Sequence, residues 1–222
     1  MKELLNQEKN NIWLDLIDRA ITVISILLIA FLAFSIVSYS LFRPFVIIGD
    51  SMSPTIADDA TVLISNDSNG VARGDIVIID ISYDDNFSVA GKSQFIIKRV
   101  VAVGGDKIGF VYSQDKSEYY LYMDKGSGWE KVNEPYKMVR TGDLLSGITV
   151  CNEVNELSSN FITIGQGKIF VLGDNRDVSA DSRKFGQFSL GSINGKYLCT
   201  FEKGGILEFL FSLIYKGENL ID

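Results

Sequence analysis

Histidine is absent from this chain of 222 residues. That excludes a Ser-His-Asp or Cys-His catalytic set within one chain, and it removes the commonest zinc ligand. Cysteine is nearly as scarce. Cys151 and Cys199 are too few and too far apart for a cysteine-only metal site. Without an imidazole base, neither reads as a nucleophile. If this region lies outside the cell, a disulfide between them and two separate buried thiols are both open readings. Basic runs are missing too, and the formal charge of −7 with a pI near 4.7 argues against a nucleic-acid backbone as partner. The chain shows no internal repeat and no low-complexity tract.

What is present first is a long uncharged run, Ala20–Phe42 (AITVISILLIAFLAFSIVSYSLF), of 23 residues. As a helix it would measure about 34 Å, enough to span hydrocarbon with a little tilt. A cleavable leader usually has an apolar stretch of only about 7–15 residues, so this run reads as an uncleaved anchor. Lys2, Lys9 and Arg19 precede it, whereas Arg43 is the only basic residue among the twenty that follow. The positive-inside bias predicts residues 1–19 in the cytoplasm and the remainder of the chain on the outer face.

Beyond Arg43-Pro44 the pattern changes to short β-branched and aromatic runs punctuated by Gly, Asn and Asp. FVIIG, TVLIS, DIVIIDIS, QFIIKRVVAV, KIFVLG and GKYLCTF all read as strands, so the class is mainly β. Residues 43–105 and 167–203 read as one β core. Residues 106–166 read as a smaller inserted β subdomain, with a hairpin in SEYYLYMDKGSGWEKV turning at Lys125–Gly128. The tail, 204–222, contains GILEFLFSLIY (Gly205–Tyr215), apolar but too short to span. A short helix packed on the body and an interfacial helix resting on lipid are its two readings.

Three stretches carry candidate chemistry. In IIGDSMSPTI, Ser51 sits in a turn stiffened by Pro54, and a rigid loop presenting a hydroxyl beside backbone N–H groups suits an oxyanion hole. A serine nucleophile needs a base, and without histidine the candidates are Lys, Asp, Glu or a hydroxyl relay. In QFIIKRVVAVGGD, strand alternation places Lys98 on one face with Ile96 and Val100, and Arg99 on the other with Ile97 and Val101. Desolvation lowers the pKa of a lysine, and a neutral amine can act as a general base. The alternative is that Lys98 snorkels into water from a sheet edge. The third stretch, VLGDNRDVSADSRKFG, packs Asp174, Arg176, Asp177, Asp181 and Arg183 among small polar residues. It reads either as a solvated loop or as an ion-pair network that fixes Ser179 and Ser182 in place.

Together these stretches resemble the bacterial type I signal peptidases, membrane-anchored serine proteases with a Ser-Lys dyad. GDSMSPT resembles their nucleophile box, KRVVAVGGD their lysine box and GDNRDVSADSRKFG their long C-terminal box. RGDIV (Arg73–Val77) and NEPY (Asn133–Tyr136) match in order. The resemblance implies a coiled β-sheet catalytic domain with a small β insertion, behind one transmembrane helix. It implies Ser51 as nucleophile, Lys98 as general base and Ser179 as a hydrogen-bonding partner that orients the lysine amine. Asp181 and Arg183 would form an ion pair behind the site, with Asp174 and Arg176 bracing the same loop. It further implies secretory preproteins as substrates, cut after small-x-small sites at the outer face of a bacterial membrane, and no metal or organic cofactor. Ile48 and Met52, which flank Ser51, are the expected walls of the substrate pocket. Two positions depart from the family pattern: Gly49 stands where some relatives carry serine, and Val178 where asparagine is common.

Other readings stand beside this one. A specialised Ser-Lys peptidase of conjugation or pilus export would look similar, and a membrane-anchored β domain could bind partners without chemistry. A cytosolic self-cleaving repressor would share the dyad, but the spanning segment, the acidic balance and the GDNR box argue against it.

Overall fold

A computed structural model describes residues 2–82, 95–139, 145–201, 204–206 and 218–221. Two separate compact units result, Met1–Phe42 and Arg43–Asp222. The first is a single 40-residue helix, α1 (Lys2–Leu41). It begins well before the apolar run, because Lys2–Arg19 contains neither Gly nor Pro to break it. Within it, Trp13–Ser38 is long and apolar enough to cross a membrane. Its hydroxyls turn inward: Thr22 and Ser35 donate to the carbonyls of Asp18 and Phe31, at 2.8 and 2.9 Å. The helix stops three residues before Pro44, which pushes Arg43 towards extended backbone. Phe42, expected as the last residue of the anchor, opens a strand instead.

The second unit is built from strands in two sheets. In chain order they are β1 (Phe42–Ile48), β2 (Thr61–Ser65), β3 (Ile76–Asp80), β4 (Phe95–Val103), β5 (Lys107–Ser113), β6 (Glu118–Asp124) and β7 (Trp129–Lys131). There follow β8 (Val150–Cys151), β9 (Ile162–Thr163), β10 (Lys168–Leu172), a one-turn helix α2 (Ser182–Phe185), β11 (Phe188–Ser189), β12 (Ile193–Thr200) and β13 (Glu218–Ile221). The larger sheet runs β11-β10-β4-β3-β12-β2-β1-β13. The smaller runs β7-β6-β5-β8, with β9 also on β5. The architecture is therefore mainly β behind one apolar helix.

The centre of the larger sheet is buried on both faces, as its continuous β-branched runs require. On one face Ile76, Ile78 and Ile97 pack with Phe45, Ile47 and Met52. On the other, Val77, Ile79, Ile96 and Val100 pack with Ile169 and Val171. A third cluster joins the sheets: Val101, Ala102, Phe170 and Leu172 meet Ile108, Phe110, Leu121 and Met123. Each such side chain, fully buried, contributes about 1.5–3 kcal/mol. The β6–β7 hairpin turns at Lys125–Gly128, where Lys125 N donates to Gly128 O at 3.0 Å.

The cysteines are separate thiols. Cys151 is buried beside Val111 and Leu157, while Cys199 is exposed on β12. Burial, and then the neighbouring Glu156, push the Cys151 thiol above its ordinary range. Of the apolar tail, residues 207–215 lie outside the described residues; the strand β13 beyond it was not expected.

Candidate active site

The sheet brings Ser51 to Lys98 across 47 positions of sequence. β1 ends at Ile48, and the chain turns out through Gly49, whose φ of 108° favours glycine. A serine at that position would be strained. Gly49 N donates to Asp58 Oδ1 at 2.7 Å, and Ser53 N to Asp50 O at 3.0 Å, closing the turn around Ser51. The Ser53–Pro54 peptide is cis. Met52 and Ile56 plug this loop into the core.

Lys98 lies mid-strand on β4, opposite Val77 of β3 and between the buried Ile97 and the part-buried Arg99. It has no exposed surface, and Ser51 is 2% exposed. Lys98 Nζ donates to Ser51 Oγ at 2.5 Å. The snorkelling alternative does not occur.

The third stretch folds over this pair. Leaving β10, the chain passes Gly173, where an added Cβ would lie 2.6 Å from Ser51 O and would overlap Ser179. Asn175 N donates to Ser51 O at 2.8 Å, tying the two loops together. Asp181 caps α2, accepting from Arg183 N at 3.2 Å, and receives Arg183 Nε and Nη2, both at 2.8 Å. Its second oxygen also accepts from Gly173 N at 3.0 Å. Arg183 donates onward to the carbonyls of Arg176 and Ser179, at 2.7 and 3.1 Å. Ser182 Oγ accepts from Val171 N at 2.9 Å. The stretch is thus a buried network and not a solvated loop.

Asp174 and Arg176 reach partners outside their own loop. Asp174 receives Arg99 Nε at 2.7 Å and Nη2 at 2.6 Å, and the Thr55 hydroxyl at 2.5 Å. The Asp174 carboxylate holds the Arg99 guanidinium above its ordinary pKa, against the opposing effect of burial. Arg176 makes a bidentate pair with Glu134 and donates Nε to Gly173 O at 3.0 Å. Both guanidinium groups lie over the Tyr136 ring, Arg99 at 5.4 Å and Arg176 at 5.1 Å from its centroid. Sequence reasoning did not single out Arg99, Thr55, Glu134 or Tyr136 as site residues. The available signals were the NEPY match, which contains Glu134 and Tyr136, and the placement of Arg99 on the face opposite Lys98.

Two expected details differ. Ser179 is 1% exposed, and its Oγ has no hydrogen-bond partner among the described residues, so the expected bond to the Lys98 amine is not formed. Its backbone is held at both ends, by Ser179 N to Asn175 O at 3.0 Å and by Arg183, and this sets the side chain against Gly173. Met52 has no exposed surface, so it is a core residue and not a wall of an open pocket; Ile48 is 43% exposed. Val178 N donates to Asn175 O at 3.2 Å while its side chain faces solvent. A groove of about 510 Å³ between the sheets is lined by Arg73, Arg99, Met123, Lys131, Glu134 and Tyr136, but by neither Ser51 nor Lys98.

With this geometry in place, similarity to known proteins is specific. Residues 20–201 match the family described as signal peptidase, peptidase S26. Signal peptidase IB of Staphylococcus aureus is 32% identical over 175 residues, covering 76% of this chain and 82% of the relative. Signal peptidase I U of Bacillus subtilis is 34% identical over 169 residues, covering 74% and 77%. A crystal structure of a signal peptidase I from Enterococcus faecalis covers 58% of this chain and 97% of its own, at 25% identity and a TM-score of 0.34. The chain belongs to the signal peptidase family, peptidase S26, as a serine endopeptidase of the bacterial type I kind.

Proposed function

We propose that Ser51 is the nucleophile and Lys98 the general base in the removal of signal peptides from secretory preproteins. The observation that supports this most is the 2.5 Å contact between Lys98 Nζ and Ser51 Oγ, in a place withdrawn from water. Burial disfavours an ammonium, so the amine form is the one this setting favours.

The Lys98 amine takes the Ser51 hydroxyl proton as Oγ bonds to the scissile carbonyl carbon. The Ser51 N–H donates to the oxyanion. Lys98 then passes its proton to the leaving nitrogen, the C–N bond breaks, and the acyl group remains as an ester on Ser51. Water adds to that ester with Lys98 again taking a proton, and cleavage of the ester bond returns the proton to Oγ. Asp181 and Arg183 hold the loop that fixes the Ser51 carbonyl. Ser179 lines the buried side of the same loop.

The scissile segment adds as an extended strand along the β1 edge, with backbone bonds giving tolerance of sequence and shallow pockets selecting small side chains. Ile48, exposed at the end of β1, is one such wall. The helix spans the membrane with its N-terminus in the cytoplasm, and eight residues of chain lie between Phe42 and Ser51 on the outer side.

The test is incubation of the detergent-solubilised chain, beside Ser51→Ala, with a model preprotein, followed by mass spectrometry of the products. Cleavage after a small-x-small site, lost in the variant, is the expected result. Equal cleavage by both would remove Ser51 as nucleophile.

A further inference from the structure

The edge of β1 already has an occupant. β13 pairs with it in parallel, Phe45 opposite Glu218, Val46 opposite Asn219, Ile47 opposite Leu220 and Ile48 opposite Ile221. β13 also lies beside β4, the strand of Lys98. An extended segment of this chain therefore runs between the strand that delivers the nucleophile and the strand that carries the base.

Its polarity matters. Running parallel to β1, it advances towards the Ile48 end, three residues before Ser51. A preprotein strand adding along β1 and continuing towards Ser51 would need this same edge. Its composition matters as well. Glu218-Asn219-Leu220-Ile221 offers no small-x-small spacing, so a site that selects small residues has nothing there to cut. A four-residue parallel pair is weak by itself. Covalent linkage to the body gives it an effective concentration of about the millimolar range.

We propose that Glu218–Ile221 is a resident, uncut occupant of the substrate edge, and that a preprotein strand must displace it. This rests on the reading of Ser51 and the β1 edge given above. The occupant acts as an internal competitor: it raises KM and leaves kcat unchanged, because saturating substrate displaces it. A strand in place nine-tenths of the time would raise KM about tenfold.

The experiment compares the full chain with one ending at Gly217, both in detergent, on a short peptide containing a small-x-small site. The shortened chain should show a KM several-fold lower at the same kcat. Adding a peptide of residues 216–222 should restore the higher KM competitively, and a reversed-order peptide should not. Hydrogen exchange at the Val46 and Ile48 amides should quicken on shortening, while the Ile47 amide, which donates to Ala60 O, should stay protected. An Asn219→Pro, Leu220→Pro chain, which loses strand donors without deletion, should behave as the shortened one does. Equal KM and equal β1 exchange in all three chains would overturn the occupant while leaving the peptidase in place. Cleavage by none of them would overturn the Ser51 reading, and the proposal with it.

Discussion

Lys98 on β4 and Arg183 on α2 are both withdrawn completely from water, yet their surroundings differ. Arg183 is matched by a carboxylate through two donors and by two backbone carbonyls. Lys98 points its nitrogen at a hydroxyl 2.5 Å away. A guanidinium does not give up its proton, and its planar fork suits rigid bidentate pairing; an amine changes protonation state readily when desolvated. Burial in one place therefore produces a fixed brace. In the other, on the proposed mechanism, it produces a base.

The comparison breaks most visibly at the base. Lys98→Arg replaces a titratable amine with a guanidinium that does not give up its proton, and should lower kcat/KM by about 10²–10⁴-fold. Near-normal turnover, with circular dichroism showing an intact fold, would end the assignment of Lys98.

Next comes the brace. Asp181→Asn leaves Arg183 buried without its counter-charge and should cost about 3–5 kcal/mol of stability. Replacing both partners, as Asp181→Leu with Arg183→Met, should recover much of that loss by thermal unfolding. A double variant no better than the single one would show that the pair supplies stability and not geometry alone.

Glu134→Gln weakens the pair that ties the smaller sheet to Arg176, and should cost about 1.5–3 kcal/mol. An unchanged midpoint in denaturant titration would mean that Tyr136 and the backbone carbonyl hold Arg176 without it.

The smallest effect belongs to Asp106. Burial pushes its carboxyl up, but the bonds from Arg73 and from Val103 N–H outweigh this and hold it below the usual range. Its stabilisation is therefore complete above the unfolded carboxylate pKa and is lost as pH falls through the lower native value. Asp106→Asn should flatten that part of the acid-side decline in melting temperature. Because Arg73 is half exposed, the change is small and fades in salt. An unaltered acid profile would place the relevant carboxylate elsewhere.

Much of this arrangement was legible beforehand because it is local. The β-branched runs became β3, β4 and β10, since a strand buried on both faces must be apolar throughout. The alternation around Lys98 held: Ile96 and Val100 share one core cluster, and Ile97 belongs to another. The disulfide question, by contrast, turned on where two distant strands lie, and Cys151 and Cys199 emerged as separate thiols. Met52 lies in the core although its neighbour is a candidate nucleophile. The turn at Ser51 sends consecutive side chains to different surroundings, and Met52 enters the core.

The sequence by itself determined the helix long and apolar enough to cross a membrane, the mainly β class and the residue types available for chemistry, because periodicity and composition act over a few neighbouring positions. Tertiary structure alone decided which of those residues meet. Ser51 reaches Lys98, Asp174 chooses Arg99, Arg176 chooses Glu134, and β13 takes the edge of β1. Such pairings follow from strand order and register, which place residues far apart in sequence at hydrogen-bond distance and leave buried charges only the partners that packing brings within reach.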